Sequence, residues 1–392
     1  MTQQPAPALS PEPAQPPPRR LHHVDNLRVA LTVLVVLHHV ALTYGNIPVW
    51  FYTEPAQDPT GGLLDLLVII NQTYFMGLFF LLAGYFVPGA ADRRGRGGFV
   101  RERLVRLGVP LLLFVLLVRP LVTTGAYQLY VEGAAAQGAE MPYWLFYLVS
   151  FDPGPMWFVE VLLVLSLTYV MVRGFRERRG AVAGPLARPE DTAPLRWSGP
   201  VLAFTVGLAA VSLLWHWVNP APYWPFVGLP SPDYLPQYVA LFTVGVFAYR
   251  GNWFTRLPDR AGWYGLATAV LGLLAFLALS VLLGPAAGES GVAAALFQRV
   301  AESFFSVGVT LALMVFFRRF LDRRTRFSGF LVDNAFAVYF LHPLVLVGLG
   351  MALGGWEAAA VVKFLVVAAL AIPLCWASAA AVRAVPGARR IL

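Results

Sequence analysis

Apolar residues recur along this chain in long runs that are separated by short polar connections. A helix needs about 20 apolar residues to cross a hydrocarbon core of about 30 Å. The pattern therefore predicts an all-α polytopic membrane protein, a bundle of about ten transmembrane helices. The predicted spans are 27–46, 63–87, 104–125, 156–173, 200–218, 236–250, 261–284, 297–317, 330–352 and 358–383.

Three segments fall outside this pattern. Residues 141–150 and 220–232 are short and rich in aromatic residues and proline, which is typical of interfacial or re-entrant segments. Residues 1–20 contain seven prolines and no apolar run. This composition predicts a disordered cytoplasmic tail instead of a signal peptide, and it leaves 21–392 as one membrane-embedded domain.

Composition agrees with a membrane protein. Hydrophobic residues make up 58% of the chain and charged residues 13%, whereas soluble domains average about 45–50% and about 25%. The net charge of +8 does not indicate nucleic-acid binding, because the basic residues alternate with apolar spans and form no stripe on a polar domain. The single cysteine, Cys375, excludes a disulfide framework. The sequence contains neither an HExxH motif nor a CxxC pair, so neither motif indicates a metal site.

Arginine placement predicts the topology. Of 28 arginines, 25 fall in the tail, in every second connection (93–106, 173–196, 250–260, 318–326) and in the C-terminal segment 383–390. The intervening connections are acidic, with Arg299 the only arginine at their borders. By the positive-inside rule both termini are cytoplasmic and the number of spans is even.

The first span carries polar residues that hydrocarbon disfavours. Eleven residues advance a helix by about three turns and about 16 Å, so Arg28 and His39 share one face, whereas His38 lies about 100° away. A guanidinium suits a phosphate group, and an imidazole suits proton transfer near neutral pH. Acyl-coenzyme A, with a phosphorylated head and a long reactive arm, matches this spacing. The alternative is that Arg28 is an interfacial residue extending its side chain to the headgroups.

The same chain resembles the acyltransferase 3 family of membrane acyltransferases. The resemblance rests on an arginine, ten residues (VALTVLVVLH) and a histidine after "VDNL", followed in order by "FFLLAGYFV" at 79–87, "PMWFVEVLL" at 155–163 and "NAFAVYFLHPLVL" at 334–346. Together these segments leave only the tail and the loops outside the match. The residues of these segments are similar to those of the glucan-modifying branch of the family.

The resemblance implies transfer of an acyl group, such as acetyl or succinyl, from cytoplasmic acyl-CoA to a hydroxyl of a carbohydrate or lipid-linked acceptor. His39 and Arg28 occupy the positions of the family's essential histidine and arginine. His38 departs from the family pattern, so the sequence leaves open which imidazole acts. No tightly bound cofactor is implied. We expect the protein in the lipid bilayer of a bacterial cytoplasmic membrane.

Further ionisable groups fall at a similar predicted depth. Arg119, Glu160 and His342 would converge near His39, with Glu160 or His342 orienting the imidazole or the acceptor and Arg119 contacting the carbonyl oxygen or an anionic acceptor. Equally, Arg119 and Glu160 could form a structural ion pair, and His342 could be a structural residue at the kink before Pro343. Transfer could be direct or pass through acyl-His39.

Two residues are candidates for the nucleotide head of acyl-CoA. Tyr85 follows Gly84 in the second span, and Asn334 stands at the inner end of the ninth; packing and capping are the alternative roles. Glu302 and Lys363 fall near the outer boundary, where we expect them to be solvated.

The main alternative function is a secondary transporter or channel that uses the buried His, Arg and Glu groups as a relay. It predicts an internal repeat, and the spans around His39 and His342 share little beyond one histidine. A protein that moves an acyl group across the bilayer for a separate partner enzyme is a hybrid of the two.

Overall fold

The computed structural model describes residues 20–180, 195–219, 223–224, 228–283 and 292–392, so the predicted tail lies outside the described residues apart from Arg20. The chain is helical almost throughout. The helices are α1 (His22–Tyr44), α2 (Gly61–Gln72), α3 (Phe75–Arg103), α4 (Val109–Leu113), α5 (Arg119–Val122), α6 (Thr124–Ala135), α7 (Tyr143–Val149), α8 (Trp157–Arg178), α9 (Ser198–Val218), α10 (Leu235–Gly251), α11 (Trp253–Arg256), α12 (Asp259–Leu283), α13 (Val292–Phe320), α14 (Arg326–Ala352) and α15 (Ala360–Ala384).

The all-α prediction is confirmed. Eight stretches of the described chain are long and apolar enough to cross a membrane. One of them, Gly61–Val122, contains two of the predicted spans and includes π-helical turns at Leu104–Gly108 and Phe114–Val118. The sixth predicted span corresponds to α10, which has 17 residues. Each predicted span thus overlaps helix in the described residues, while the count of ten and the cytoplasmic termini stay predictions.

The two aromatic segments between spans differ from each other. Residues 141–150 contain the short helix α7. Part of 220–232 lies outside the described residues; the described part pairs β1 (Tyr223–Trp224) with β2 (Leu229–Pro230) in a two-residue antiparallel ladder. Neither segment is long enough to span a bilayer.

The outside of the bundle is as apolar as its core. Large aliphatic side chains such as Leu116 (63% exposed), Leu271 (66%) and Leu282 (82%) face outward. In water this surface would be a large aggregation-prone patch, whereas in a bilayer it meets acyl chains of the same polarity.

Ion pairs show that the arginine clusters share one end of the bundle. The Asp92 carboxylate, in α3, accepts hydrogen bonds from Arg173 at the end of α8 (2.5 Å) and from Arg250 at the end of α10 (2.9 Å). A second group of contacts joins His23 to Asp322 (3.0 Å). We call the end of the bundle that contains these ion pairs the basic end. It contains the connections that the sequence assigns to one side of the membrane.

Two glycines allow α3 and α10 to pack at close range. A Cβ added to Gly84 would lie 2.2 Å from the Phe242 carbonyl oxygen, and one added to Gly245 would lie 2.2 Å from the Leu81 carbonyl oxygen. Small residues at helix contacts bring backbones together, which is how membrane helices gain dispersion energy without a hydrophobic driving force. The segment "FFLLAGYFV" therefore has a packing function at Gly84.

We expect Gly84→Ala to destabilise the bundle, because the added methyl group meets backbone atoms that cannot rotate away. Overpacking of this kind costs about 1–3 kcal/mol. The melting temperature of the purified protein in nanodiscs measures the effect. Gly207→Ala is the matched control, since nothing lies within 4 Å of a Cβ at that helical position. Equal melting temperatures for both variants would contradict the close packing.

Candidate functional site

His39 and His342 lie side by side inside the bundle. The ring centroids are 4.9 Å apart, which brings α1 and α14 together at residues separated by some 300 positions in sequence. His342 is fully buried, whereas His39 is partly exposed. Two imidazoles in an apolar interior form a pair that can accept or hand over protons.

Both histidines use Nδ1 to bond a backbone carbonyl of their own helix. His39 Nδ1 lies 2.8 Å from the Val35 oxygen, and His342 Nδ1 lies 2.7 Å from the Tyr339 oxygen. A carbonyl can only accept, so each Nδ1 carries the proton and each Nε2 keeps its lone pair in the neutral ring. His342 Nε2 is buried and has no partner in the described part of the chain.

Pro343 explains how His342 finds this carbonyl. In an unbroken helix the Tyr339 carbonyl would accept from the backbone N–H of residue 343, but proline has no N–H. The His342 ring takes the vacant position. The sequence left open that His342 is a structural residue at the kink, with its ring bonded to a neighbour. The structure shows such a bond for Nδ1. Nε2 has no partner among the described residues and can take part in chemistry.

A loop after α1 covers the histidine pair. Residues 45–60, which we call the strap, bring the Trp50 ring to 4.0 Å from the His39 ring and 6.0 Å from the His342 ring. The Trp50 Nε1 atom is buried without a partner among the described residues. Sequence reasoning missed Trp50; its only signal was an aromatic run, "WFY" at 50–52, in an otherwise polar connection.

The strap is bonded to α15 at two positions. Glu54 binds Lys363 (2.5 Å), and Asp58 accepts from the Ala360 backbone N–H (2.8 Å). Asp58 also accepts from the hydroxyl and backbone N–H of Thr60, and together these hydrogen bonds lower the pKa of the Asp58 carboxyl. These bonds hold the strap in one conformation. It lies at the end of the bundle opposite the basic end.

His38 meets the His39 ring edge-on at 5.4 Å, but its other neighbours lie on α2 and α3. Its ring stacks on Phe75 with centroids 5.2 Å apart, and its Nδ1 lies 3.5 Å from the Asn71 side-chain nitrogen. His38 is 6% exposed. The doublet is therefore divided between two environments, and His39 is the member that meets His342.

Arg28 lies on the same face of α1 as His39, at the basic end. The residues between them on that face are buried, with Thr32 4% and Val35 2% exposed, so the face points into the bundle. Arg28 itself is exposed, and among the described residues its side chain has no ion pair or hydrogen bond. Its charge is free to bind a ligand.

Arg119 and Glu160 do not pair. The Arg119 guanidinium, 1% exposed, donates to the backbone oxygens of Ser150 and Asp152 and leaves Nη1 without a partner in the described chain. Its cation also lies 4.5 Å from the Tyr147 ring centroid. Glu160 is partly buried and forms no hydrogen bond or ion pair within the described residues. The alternative of an Arg119–Glu160 ion pair is wrong, and no such bond links either residue to His39.

Tyr85 and Asn334 have structural partners near the basic end. The Tyr85 ring stacks on Phe254 at 4.2 Å and meets the Tyr249 ring edge-on at 5.5 Å. Asn334 donates to the Phe330 carbonyl oxygen (2.8 Å) and accepts from Arg383 (3.4 Å). These contacts match the packing alternative for both, and nothing brings either residue to Arg28.

The expectation that Glu302 and Lys363 are solvated is wrong for Glu302. Glu302 is 7% exposed and pairs with Arg299 (2.9 Å), which also binds Asp233 (3.1 Å). Lys363 forms an ion pair with Glu54 in the strap. Arg299 and Glu302 are three positions apart on α13, a spacing that the sequence displays, whereas the Arg299–Asp233 and Lys363–Glu54 pairs join segments that only the fold brings together.

The described residues contain no group of three or more His, Cys, Asp or Glu side chains placed to hold a metal ion. Cys375 is buried and free. The site offers two imidazole Nε2 acceptors, the indole N–H donor of Trp50 and, at the basic end, the Arg28 guanidinium.

Comparison with known proteins yields one match. The family model of the acyltransferase 3 group, described as an acyltransferase domain, matches residues 21–380. No curated protein and no solved structure matches the chain. The match covers nearly all of the chain and includes every residue of the candidate site.

We predict that Asp58 stabilises the protein only above its titration range. Its folded-state pKa lies below the ordinary value of 3.8, so the stabilisation is present at neutral pH and is lost as the pH falls through that folded pKa. The difference in melting temperature between wild type and Asp58→Asn should be clear at pH 7 and shrink below about pH 4. Asp333→Asn, at an exposed ion pair with Arg324, is the control and should show little difference at either pH. A constant difference for Asp58→Asn across this range would contradict the assignment.

Proposed function

The chain belongs to the acyltransferase 3 family, and we propose that this membrane acyltransferase moves an acyl group, such as acetyl or succinyl, from acyl-CoA to a hydroxyl of a carbohydrate or related acceptor. Family membership favours an enzyme over the secondary transporter or channel. The proposal is that the donor binds from the cytoplasm and that the acceptor is reached at the membrane or on its outer side.

One observation carries the proposal for the reaction. His39 and His342 meet in the interior with both Nδ1 atoms bonded to carbonyls, so both Nε2 atoms are acceptors. A hydroxyl must lose its proton as it attacks a thioester, and a neutral imidazole nitrogen is the usual base for that step near neutral pH. His39 is the better candidate for this base because it is partly exposed and lies on the same face of α1 as Arg28.

In the proposed direct route, His39 Nε2 takes the proton of the acceptor hydroxyl while its oxygen bonds to the acyl carbon. The carbon–sulfur bond then breaks, the CoA thiolate leaves, and the imidazolium returns the proton to the sulfur. His342 Nε2 orients the acceptor by accepting a hydrogen bond from a second hydroxyl of the acceptor. Every proton and bond is accounted for without a cofactor.

Arg28 is the proposed contact for the CoA phosphates. It is exposed and unpaired within the described residues, and it lies about 16 Å along α1 from His39. The arginines of the basic end surround this region with positive potential, which attracts a polyanionic ligand. If the basic end faces the cytoplasm, as the positive-inside rule predicts, the donor enters from the side where acyl-CoA occurs.

The remaining candidates have less support. Arg119 keeps one N–H for an acceptor or a carbonyl oxygen, but four contacts hold the guanidinium in place: the backbone oxygens of Ser150 and Asp152, the Ser150 hydroxyl and the Tyr147 ring. Among the described residues, no hydrogen bond, ion pair or ring contact connects Glu160, Tyr85 or Asn334 to the histidine pair. We propose that they shape the surroundings of the site and do not react.

We expect His39→Gln to lower acyl transfer by about 10²–10⁴-fold, the usual contribution of a general base. The assay uses purified protein in proteoliposomes with radiolabelled acetyl-CoA or succinyl-CoA and a pool of hydroxyl acceptors. His38→Gln is the matched control, because it changes the adjacent imidazole, and it should retain transfer. Loss of transfer in His38→Gln with full activity in His39→Gln would reverse the assignment. Radiolabel trapped on wild type without acceptor would indicate the acyl-histidine route instead.

We expect Arg28→Ala to weaken donor binding more than it slows turnover. Loss of hydrogen bonds to a charged phosphate costs about 1.5–3 kcal/mol, which corresponds to roughly 10–100-fold in KM for acyl-CoA. Steady-state kinetics with varied donor concentration separate KM from kcat. Arg28→Lys keeps the charge, so its KM for acyl-CoA should lie between those of wild type and Arg28→Ala. An unchanged KM with a lower kcat would place Arg28 outside the donor site.

A further inference from the structure

We propose that the Trp50 indole N–H donates a hydrogen bond to the carbonyl oxygen of the thioester during transfer, and that the strap holds it in position. This inference rests on the proposed function, since it assigns a donor to the same reaction. Trp50 would then be a catalytic residue that no motif in the sequence reveals.

The first argument is contact. The Trp50 ring centroid lies 4.0 Å from that of His39, at a tilt of 35°, and the ring is nearly parallel (13°) to that of His342 at 6.0 Å. A reacting acyl group within reach of His39 Nε2 therefore lies beside the indole. Among the described residues, the ring contacts of His39 are with His38, Trp50 and His342.

The second argument is an unmet hydrogen bond. Trp50 Nε1 is buried without a partner in the described chain, and a buried donor left unsatisfied costs about 1–3 kcal/mol. Such a cost is tolerated where a ligand supplies the acceptor. Indole nitrogen is a donor only, so it cannot act as the base and suits an oxygen that gains negative charge.

The third argument is complementarity. Both imidazole Nε2 atoms are acceptors, so neither can donate to the thioester carbonyl oxygen. Trp50 Nε1 is a donor without a partner among the described residues, and its ring contacts both imidazole rings. The site therefore supplies an acceptor for the hydroxyl at His39 and a donor for the carbonyl oxygen at Trp50.

Other donors near the site are already engaged. The Tyr339 hydroxyl donates to the Pro155 carbonyl oxygen, and the Tyr52 hydroxyl donates to Glu54 (3.5 Å). Arg119 retains one free N–H, but its guanidinium is bonded to the 150–152 segment, and its ring contacts are with Tyr147 and Phe151. Trp50 is the donor that touches His39.

The fourth argument is preorganisation. A donor lowers the barrier only if it already points at the position where charge develops. The strap is fixed on both sides of Trp50. Before it, the Asn46 backbone N–H donates to the Asp65 carboxylate (2.7 Å); after it, the Glu54 backbone N–H donates to the Thr43 carbonyl oxygen (2.7 Å), and Tyr52 packs against Gly350. The indole is thus held by the fold and not by its own contacts alone.

In the resulting step, the acceptor oxygen bonds to the acyl carbon while its proton moves to His39 Nε2. Negative charge develops on the carbonyl oxygen, which accepts from Trp50 Nε1–H. The carbon–sulfur bond breaks as the carbonyl re-forms, and the thiolate takes the proton from His39. The indole proton stays on nitrogen throughout, so Trp50 contributes stabilisation and no proton transfer.

The decisive variant replaces Trp50 with 3-benzothienylalanine, which has sulfur in place of the indole N–H and nearly the same ring shape. Because the ring stack on His39 is kept, only the hydrogen bond is lost. We expect kcat to fall by about 10²-fold, near the cost of removing one oxyanion donor, with the KM for acyl-CoA unchanged. Trp50→Phe should show at least the same loss. The matched control is Trp263→Phe, since Trp263 is 69% exposed on α12.

The outcomes separate this inference from the proposed function. Wild-type kcat in the benzothienyl variant, with wild-type melting temperature, would overturn the role of the N–H while leaving acyl transfer intact. A rise in KM without a fall in kcat would also overturn it, since it would make Trp50 a binding contact only. Absence of transfer by wild type from any acyl-CoA would refute the proposed function and this step with it.

Discussion

The constraint on which the structure depends is that hydrocarbon offers no hydrogen-bond partners. A buried polar group is costly there unless the protein supplies a partner, and the histidine pair shows how one is supplied. His39 and His342 each bond a carbonyl of their own helix through Nδ1, and Pro343 supplies the second of these carbonyls by lacking an N–H. Satisfying one nitrogen locally fixes the ring and its tautomer. The other nitrogen is then defined as an acceptor inside an apolar site.

Features that depend on one helix at a time were predictable from sequence. The positions of the spans follow from apolar length, and the shared face of Arg28 and His39 follows from helical periodicity. The same argument separates His38 from His39 by about 100°, and the structure indeed puts His38 against Phe75. The grouping of arginine-rich connections at one end agrees with the charge pattern, because neighbouring helices alternate in direction.

Features that join distant elements were not predictable. Trp50 lies in a connection that has no regular structure, so no periodicity points to it. The Glu54–Lys363 and Arg299–Asp233 pairs join residues tens to hundreds of positions apart, and sequence depth alone suggested solvated charges instead. Arg119 and Glu160 share a predicted depth, yet Arg119 bonds the 150–152 segment and Glu160 has no bonded partner among the described residues, because depth does not specify which way a side chain faces. Lateral position in a bundle is set by packing, which a single sequence does not display.

The strap also makes the surroundings of His39 depend on bonds formed several residues away. The Trp50 ring lies against His39, while the bonds that hold the strap to α15 are made by Glu54 and Asp58. A substitution at Lys363, which pairs with Glu54, would therefore alter the packing around His39 without changing either histidine of the pair. Mutational effects in this protein are thus transmitted along the connection after α1 as well as through the helices.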